Sequence, residues 1–280
     1  MTSAVASTVD CHLHVVDAVR WPYPPGPGNK PAIEEQAPFE RLIAELDRAD
    51  VERGVLIQLS GYATDNRPML DAVARAPTRL RCVIGLSPEV STHDIEALAA
   101  AGAAGARLNV LQHGCASIAT VSHRLNIFAD LGWVADVQCN AVDLPAFLPI
   151  LKVARCPIVL DHMGWFDISR GISDPGFQAL LRFGREGANI KLSAAFRLSR
   201  LPFPHPDLDP FVDAILTDFT PARCVWGSDW PFVGVAPAPS YRESRACLER
   251  WVNDPDERRL ILCETPTRLF GFKAAVVVTR

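Results

Sequence analysis

Eight short apolar runs, rich in β-branched residues, alternate along this chain with longer segments of helical period. The runs are Val9–Val15, Gly54–Leu59, Arg81–Leu86, Gly105–Leu108, Trp133–Val137, Ile158–Asp161, Asn189–Leu192 and Cys224–Gly227. Strands that alternate with helical segments pair in parallel through crossover helices. An open, doubly wound sheet shares that alternation. Eight units, with polar residues gathered just after the strands, favour a closed (β/α)8 TIM barrel. The length of 280 residues fits one such domain, expected to span 1–280.

The intervening segments carry helix signals. Phe39, Leu42, Ile43 and Leu46 recur at helical spacing after Pro38. Asp143 before Leu144–Lys152 and Asp174-Pro175 before Phe177–Arg185 are predicted N-caps. A last helical stretch starts at Asp254-Pro255 and stops at Phe270-Gly271. Between Arg20 and Gln36 the pattern lapses into Trp-Pro-Tyr-Pro-Pro-Gly-Pro-Gly-Asn, which neither a helix nor a central strand accepts. This long loop follows the first strand on the face where barrels keep their sites, and is read as a lid or binding loop.

Composition narrows the function classes. Apolar residues make up 49% of the chain, enough for a large core. Net charge is −4, the pI is about 6.0, and no Lys/Arg run appears, so nucleic acid is not an expected partner. Met1–Val9 has no basic or apolar leader region, and no apolar stretch is long enough for a bilayer; a cytoplasmic protein without a membrane partner is expected. The eight cysteines are scattered without a C-x-x-C pair, which reads as reduced thiols. A phosphate loop and a G-x-S-x-G elbow are both missing, so nucleotide binding and ordinary serine hydrolysis are not expected.

His12 and His14 lie two apart on the first strand and therefore point the same way, into the barrel mouth. His162 closes the sixth strand in Leu-Asp-His-Met-Gly. Asp229 closes the eighth in Trp-Gly-Ser-Asp-Trp-Pro, placed to take a proton from water. Either of the last two alone is an ordinary loop residue; the conjunction of all four is specific. Arg107 and Arg197 stand at strand ends, where an inward guanidinium usually holds an anion; a structural ion pair with a loop carboxylate is an equal alternative for Arg197 and a weaker one for Arg107. Few acids lie near Arg107 in sequence, so its anion is expected in the substrate. Ser60 is a candidate hydrogen-bond donor, and Tyr23 rides on the long loop. His93, His123 and His205 are read as surface residues, while His113 follows the fourth strand.

These motifs, with Gln58-Leu-Ser60, Thr64-Asp-Asn66, Gly105-Ala-Arg107, Lys191-Leu-Ser193 and Pro266-Thr-Arg-Leu-Phe-Gly-Phe272, resemble the 2-pyrone-4,6-dicarboxylate lactonase group of the amidohydrolase superfamily. The resemblance runs from the first strand almost to the C-terminus. It implies hydrolysis of a lactone by Asp229, His162, His12 and His14, with arginines and a serine gripping acidic substrate groups. Superfamily members with two metals carry a lysine at the end of the fourth strand and a histidine at the fifth. Here those ends read Arg107-Leu-Asn109 and Asp136-Val-Gln138-Cys139.

A tightly bound metal pair is therefore not expected. No cofactor is required, although one zinc on His12, His14 and Asp229 fits a known catalytic arrangement. The expected substrate is a small lactone with at least one carboxylate, oriented by Arg107 and Arg197 and closed over by the Tyr23 loop. A zinc-dependent decarboxylase, a sugar-lactone isomerase and a binding protein without activity are the alternatives. Substrate identity and oligomeric state are not legible.

Overall fold

The computed structural model describes residues 7–111 and 118–273. Eight parallel strands pair in sequence order: β1 (Val9–Leu13), β2 (Arg53–Ile57), β3 (Leu80–Gly85), β4 (Ala103–Asn109), β5 (Val134–Gln138), β6 (Ile158–Leu160), β7 (Asn189–Ser193) and β8 (Cys224–Gly227). Each predicted run is a strand, with ends shifted by a few residues. One helix covers the outside after each strand. In chain order these are α1 (Phe39–Arg48), α2 (Arg67–Arg75), α3 (Thr92–Ala100), α4 (Leu125–Asp130), α5 (Leu144–Leu151), α6 (Pro175–Arg185), α7 (Asp209–Phe219) and α8 (Tyr241–Trp251). The chain is a (β/α)8 barrel, not an open sheet. No helix among the described residues is long and apolar enough to cross a membrane.

The signals that shape α6 work as read: Asp174 accepts from the Gly176 and Phe177 amides, with Pro175 in the first turn. Asp143 precedes α5 but makes no side-chain cap. The expected last helix is broken, running Pro255–Arg259 and Thr265–Leu269 with a π-turn over Leu260–Glu264 between them. All seven described cysteines are buried free thiols; Cys115 lies outside the described residues, as does His113.

Closure of the barrel and assembly of the site use the same atoms. Between β8 and β1 there is no regular ladder. The seam is held by Asp229 N–H donating to the His12 carbonyl and His14 N–H donating to the Trp230 carbonyl, both 2.9 Å. Asp10 reinforces it: one carboxylate oxygen accepts from the His12 and Ser228 amides at 3.0 Å, the other from the α8 Tyr241 hydroxyl at 2.7 Å. Gly227 permits the approach, since a Cβ there would lie 2.5 Å from His12 Cβ.

The barrel interior has two storeys. Val9, Cys11, Val55, Ile57, Val83, Val134, Val159 and Val225 form an apolar cluster closed by Leu269, Phe270 and Phe272. Two residues further along two of those strands, and on β7 between β6 and β8, the inward positions turn ionic: Asp136 after Val134, Asp161 after Val159, and Lys191 after the buried Asn189. A register shift in the β1–β2 pairing between Asp10 and Leu13 bulges β1. The bulge lets Cys11 join the apolar cluster while His12, the next residue, reaches the ionic layer, a re-aiming common beside active sites.

Candidate active site

The four residues singled out by position meet at the C-terminal mouth. His12, His14 and His162 place their Nε2 atoms 3.6, 3.5 and 3.9 Å from the same oxygen, Asp229 Oδ1. All four side chains are buried. His162 and Asp229 are held at φ of 47° and 66°, the left-handed region. Each such non-glycine residue costs about 1–3 kcal/mol and persists only where the surroundings impose it.

The opposite ring nitrogens decide where the protons sit. His14 Nδ1 is 2.9 Å from the Ile57 carbonyl, which only accepts, so Nδ1 carries the proton and Nε2 is bare. His12 Nδ1 lies 3.2 Å from Asp161 Oδ1, which gives the same assignment. His162 Nδ1 is 2.9 Å from Ser193 Oγ, a hydroxyl able to donate or accept, so His162 Nε2 is free to carry a proton. His12 Nε2 is buried without a hydrogen-bond partner among the described residues.

Burial pulls both deep imidazoles down: His12 well below its usual value, and His162 to about 4. Burial alone would raise Asp229. The His162 imidazole and the Arg197 guanidinium beside it outweigh it and hold the carboxyl well below the carboxylate range. Arg197 Nε donates to Asp229 Oδ2 at 2.7 Å and its Nη2 to the Val233 carbonyl at 3.0 Å. Oδ1 is thus the oxygen left to face the three rings.

Below the rings, Asp161 is gripped on both oxygens. Lys191 Nζ is 2.8 Å from Oδ1, and Arg107 Nη2 is 2.9 Å from Oδ2. Lys191 also pairs with Asp136, and Arg107 Nη1 donates to the Gln58 carbonyl at 2.7 Å. Arg107 therefore has a protein anion: the scarcity of acids near it in sequence misled, because Asp161 arrives from β6 across the barrel.

Buried donor groups of this kind can hold a cation. His12, His14 and Asp229 form one cluster whose ligand atoms lie within 4.8 Å of one another; His12, Asp161 and His162 form another. Tetrahedral zinc with bonds near 2.0–2.1 Å sets neighbouring donors roughly 3.3 Å apart. The 3.5 and 3.6 Å separations in the first cluster are close to that, and the bare, unpartnered His12 Nε2 suits a metal. In the second cluster the Lys191 ammonium already sits on Asp161.

A narrow cleft of about 50 Å³ opens above, lined by His14, Ser60, Arg107, His162, Arg197 and Asp229 among others. Its wall also includes Asn29, Gln138 and Trp165, which sequence reasoning did not assign. The Gln138 Oε1 and Trp165 Nε1 atoms are buried without partners among the described residues. The long loop reaches the cleft through Asn29, whose N–H donates to Ser60 Oγ at 2.9 Å. Gly28 allows this crossing at φ 135°: a Cβ there would meet the Ser60 carbonyl oxygen at 2.3 Å. Tyr23, from the same loop, is not on that wall; its hydroxyl binds the Pro31 carbonyl at 3.3 Å and its ring packs on Tyr62. A larger cavity behind Ala194–Phe196 touches neither the three histidines nor Asp229.

His93 and His123 are exposed, but His205, read as a surface residue, is 9% exposed, with Nδ1 against the Leu201 carbonyl at 2.8 Å. It belongs to the packed loop after β7. Lys191, Asp136 and Ser193 are the chief omissions of the sequence reading. Period-2 counting along β5 and β7 puts them inward, which was the signal available.

Comparison with known proteins agrees with the geometry. The profile described as Amidohydrolase matches residues 9–272. A 4-sulfomuconolactone hydrolase of Rhizobium radiobacter is 29% identical over 270 residues, covering 94% of this chain and 89% of that protein. A 2-pyrone-4,6-dicarboxylate hydrolase of Comamonas testosteroni is 30% identical over 247 residues, covering 81% and 77%. A solved structure from Acinetobacter baumannii, a probable 2-pyrone-4,6-dicarboxylic acid hydrolase with citric acid bound, superposes with a TM-score of 0.84 at 27% identity, covering 95% of this chain and all of that one. Family profile, relatives and barrel agree: this chain belongs to the amidohydrolase family.

Proposed function

We propose that this protein hydrolyses a small lactone bearing a carboxylate, by attack of water on the ring carbonyl. The observation that carries the reading is the convergence of three imidazole Nε2 atoms on Asp229 Oδ1, with Arg197 holding Oδ2. Lactone hydrolysis by relatives that cover most of the chain supports it.

Asp229 is ionised and has Oδ1 available, so it takes the proton as water oxygen bonds to the carbonyl carbon. His162 is the ring whose Nε2 can carry a proton, and it hydrogen-bonds the oxygen on which negative charge develops. The ring C–O bond then breaks, and the proton held by Asp229 goes to the departing oxygen. Arg197 Nη1, which has no hydrogen bond among the described residues, is placed to bind the substrate carboxylate beside Arg107. Orienting the anion in this way converts binding into positioning.

His12, His14 and Asp229 fit a single divalent cation. A zinc ion held there supplies Lewis acidity to the carbonyl and acidifies water. A second tightly held cation is disfavoured by the Lys191 ammonium on Asp161 and by the neutral Gln138 at the end of β5.

The test is a panel of acidic lactones and aromatic acids, assayed before and after chelation. Ring opening with base consumption is expected. Released CO2 would establish a decarboxylase, and ring migration without base consumption an isomerase. Elemental analysis is expected to give at most one equivalent of metal per chain; two would overturn the single-cation reading.

A further inference from the structure

Lys191 is fully buried in the middle of β7 and is absent from the cleft wall. Its Nζ contacts Asp161 Oδ1 at 2.8 Å, pairs with Asp136, and lies 3.4 Å from His12 Nδ1. We propose that Lys191 is a positioning residue, whose ammonium fixes the Asp161 carboxylate so that it accepts the Nδ1 proton of His12 and keeps His12 Nε2 bare toward Asp229.

Burying an ammonium and two carboxylates costs several kcal/mol per ion before pairing, and apolar side chains of similar volume usually stabilise a core at least as well. The storey below fills the adjoining β5, β6 and β8 with valine, and β7 itself with the neutral Asn189. Stability alone therefore does not call for Lys191. What the ionic layer supplies is orientation. Asp161 Oδ1 receives Lys191 and His12 Nδ1 while Oδ2 receives Arg107, so the carboxylate plane is set from both ends.

The competing arrangement has Lys191 donating to His12 Nδ1, which would move the ring proton to Nε2. That contact is longer, 3.4 Å against 3.2 Å for Asp161, and a proton on Nε2 would face Asp229 Oδ1 only at 3.6 Å, further than Nδ1 lies from Asp161. Outer groups that orient a ligating histidine in this way typically change metal affinity by about 10–100-fold when removed.

The inference rests on the site proposed above, but its test does not require a lactone. In the metal-free wild-type protein, 15N NMR is expected to show His12 protonated at Nδ1; protonation at Nε2 overturns the proposal. Lys191→Met is expected to weaken zinc binding, read by chelator competition, by about 10–100-fold and to disturb that tautomer. The double variant Lys191→Met/Asp136→Asn removes two opposite charges together and leaves Arg107 paired with Asp161. It is expected to recover thermal stability without recovering zinc affinity or the tautomer. Recovery of all three would make Lys191 only a neutraliser of Asp136 and overturn the proposal. On any lactone that is turned over, kcat is expected to fall with KM little changed.

Discussion

The two storeys of the barrel interior are built on the same strands, two residues apart, and do opposite work. Val134 and Val159 lie in an apolar plug closed by Phe270 and Phe272; Asp136 and Asp161 lie in a layer where every charge is paired across the barrel. The plug gains its stability from area removed from water, which is non-directional. The ionic layer gains little net stability, but its hydrogen bonds are directional and fix the rings above. A barrel can thus hold its fold at one end and its chemistry at the other.

Substitutions in the two storeys should separate activity from stability. The largest effect is expected from Asp229→Asn: about 10²–10⁴-fold loss of kcat, far beyond what the accompanying loss of thermal stability from the unpaired Arg197 accounts for at low temperature. A variant that keeps more than a tenth of the activity would remove Asp229 as the proton acceptor.

Phe270→Ala, in the lower storey, should do the reverse. Truncating a buried phenylalanine costs about 3–5 kcal/mol, read as a shift in the urea midpoint, while kcat/KM at low temperature stays near wild type. Equal losses of stability and activity would mean that the storeys are not separable.

The pH dependence of stability belongs to the upper storey. His162 is lowered by burial to about 4, against 6.5 ordinarily. A histidine lowered on folding contributes fully above pH 6.5, and the contribution is lost as pH falls toward 4, because the unfolded chain takes the proton first. The gap corresponds to about 3 kcal/mol in the chelated protein. Urea unfolding of that protein at about pH 7.5 and about pH 4.5 checks it; His162→Gln should flatten the difference.

Arg197→Ala is expected to cut kcat/KM for acidic lactones by about 10–100-fold and for neutral lactones of similar size by less, since a charge-assisted hydrogen bond is worth about 1.5–3 kcal/mol. Arg107→Ala, which strips Asp161 of a partner, should lower both alike. A preference for acidic lactones lost in Arg107→Ala and kept in Arg197→Ala would exchange the two roles. The smallest change should come from Gln138→Leu, about tenfold or less in KM, seen only with lactones whose groups can bond the unpartnered amide.

The sequence by itself determined the eight-unit barrel and the four mouth residues, and the reason is periodic. Strand runs alternate with helical ones, and residues at strand ends share a face whatever their partners. It also carried the caps and the glycines that let loop and seam close. Only the tertiary structure decided who meets whom. Arg107 and Asp161 are 54 residues apart, and Lys191 and His12 179 apart, so no local pattern links them. The β1 bulge breaks the two-residue period that would otherwise place Cys11 and His12 on opposite faces. The left-handed turns at His162 and Asp229 run against local preference and exist because the closing seam and the strands on either side impose them. Local sequence specifies elements and faces; pairing of charges across a closed barrel is fixed only when the eighth strand comes back to the first.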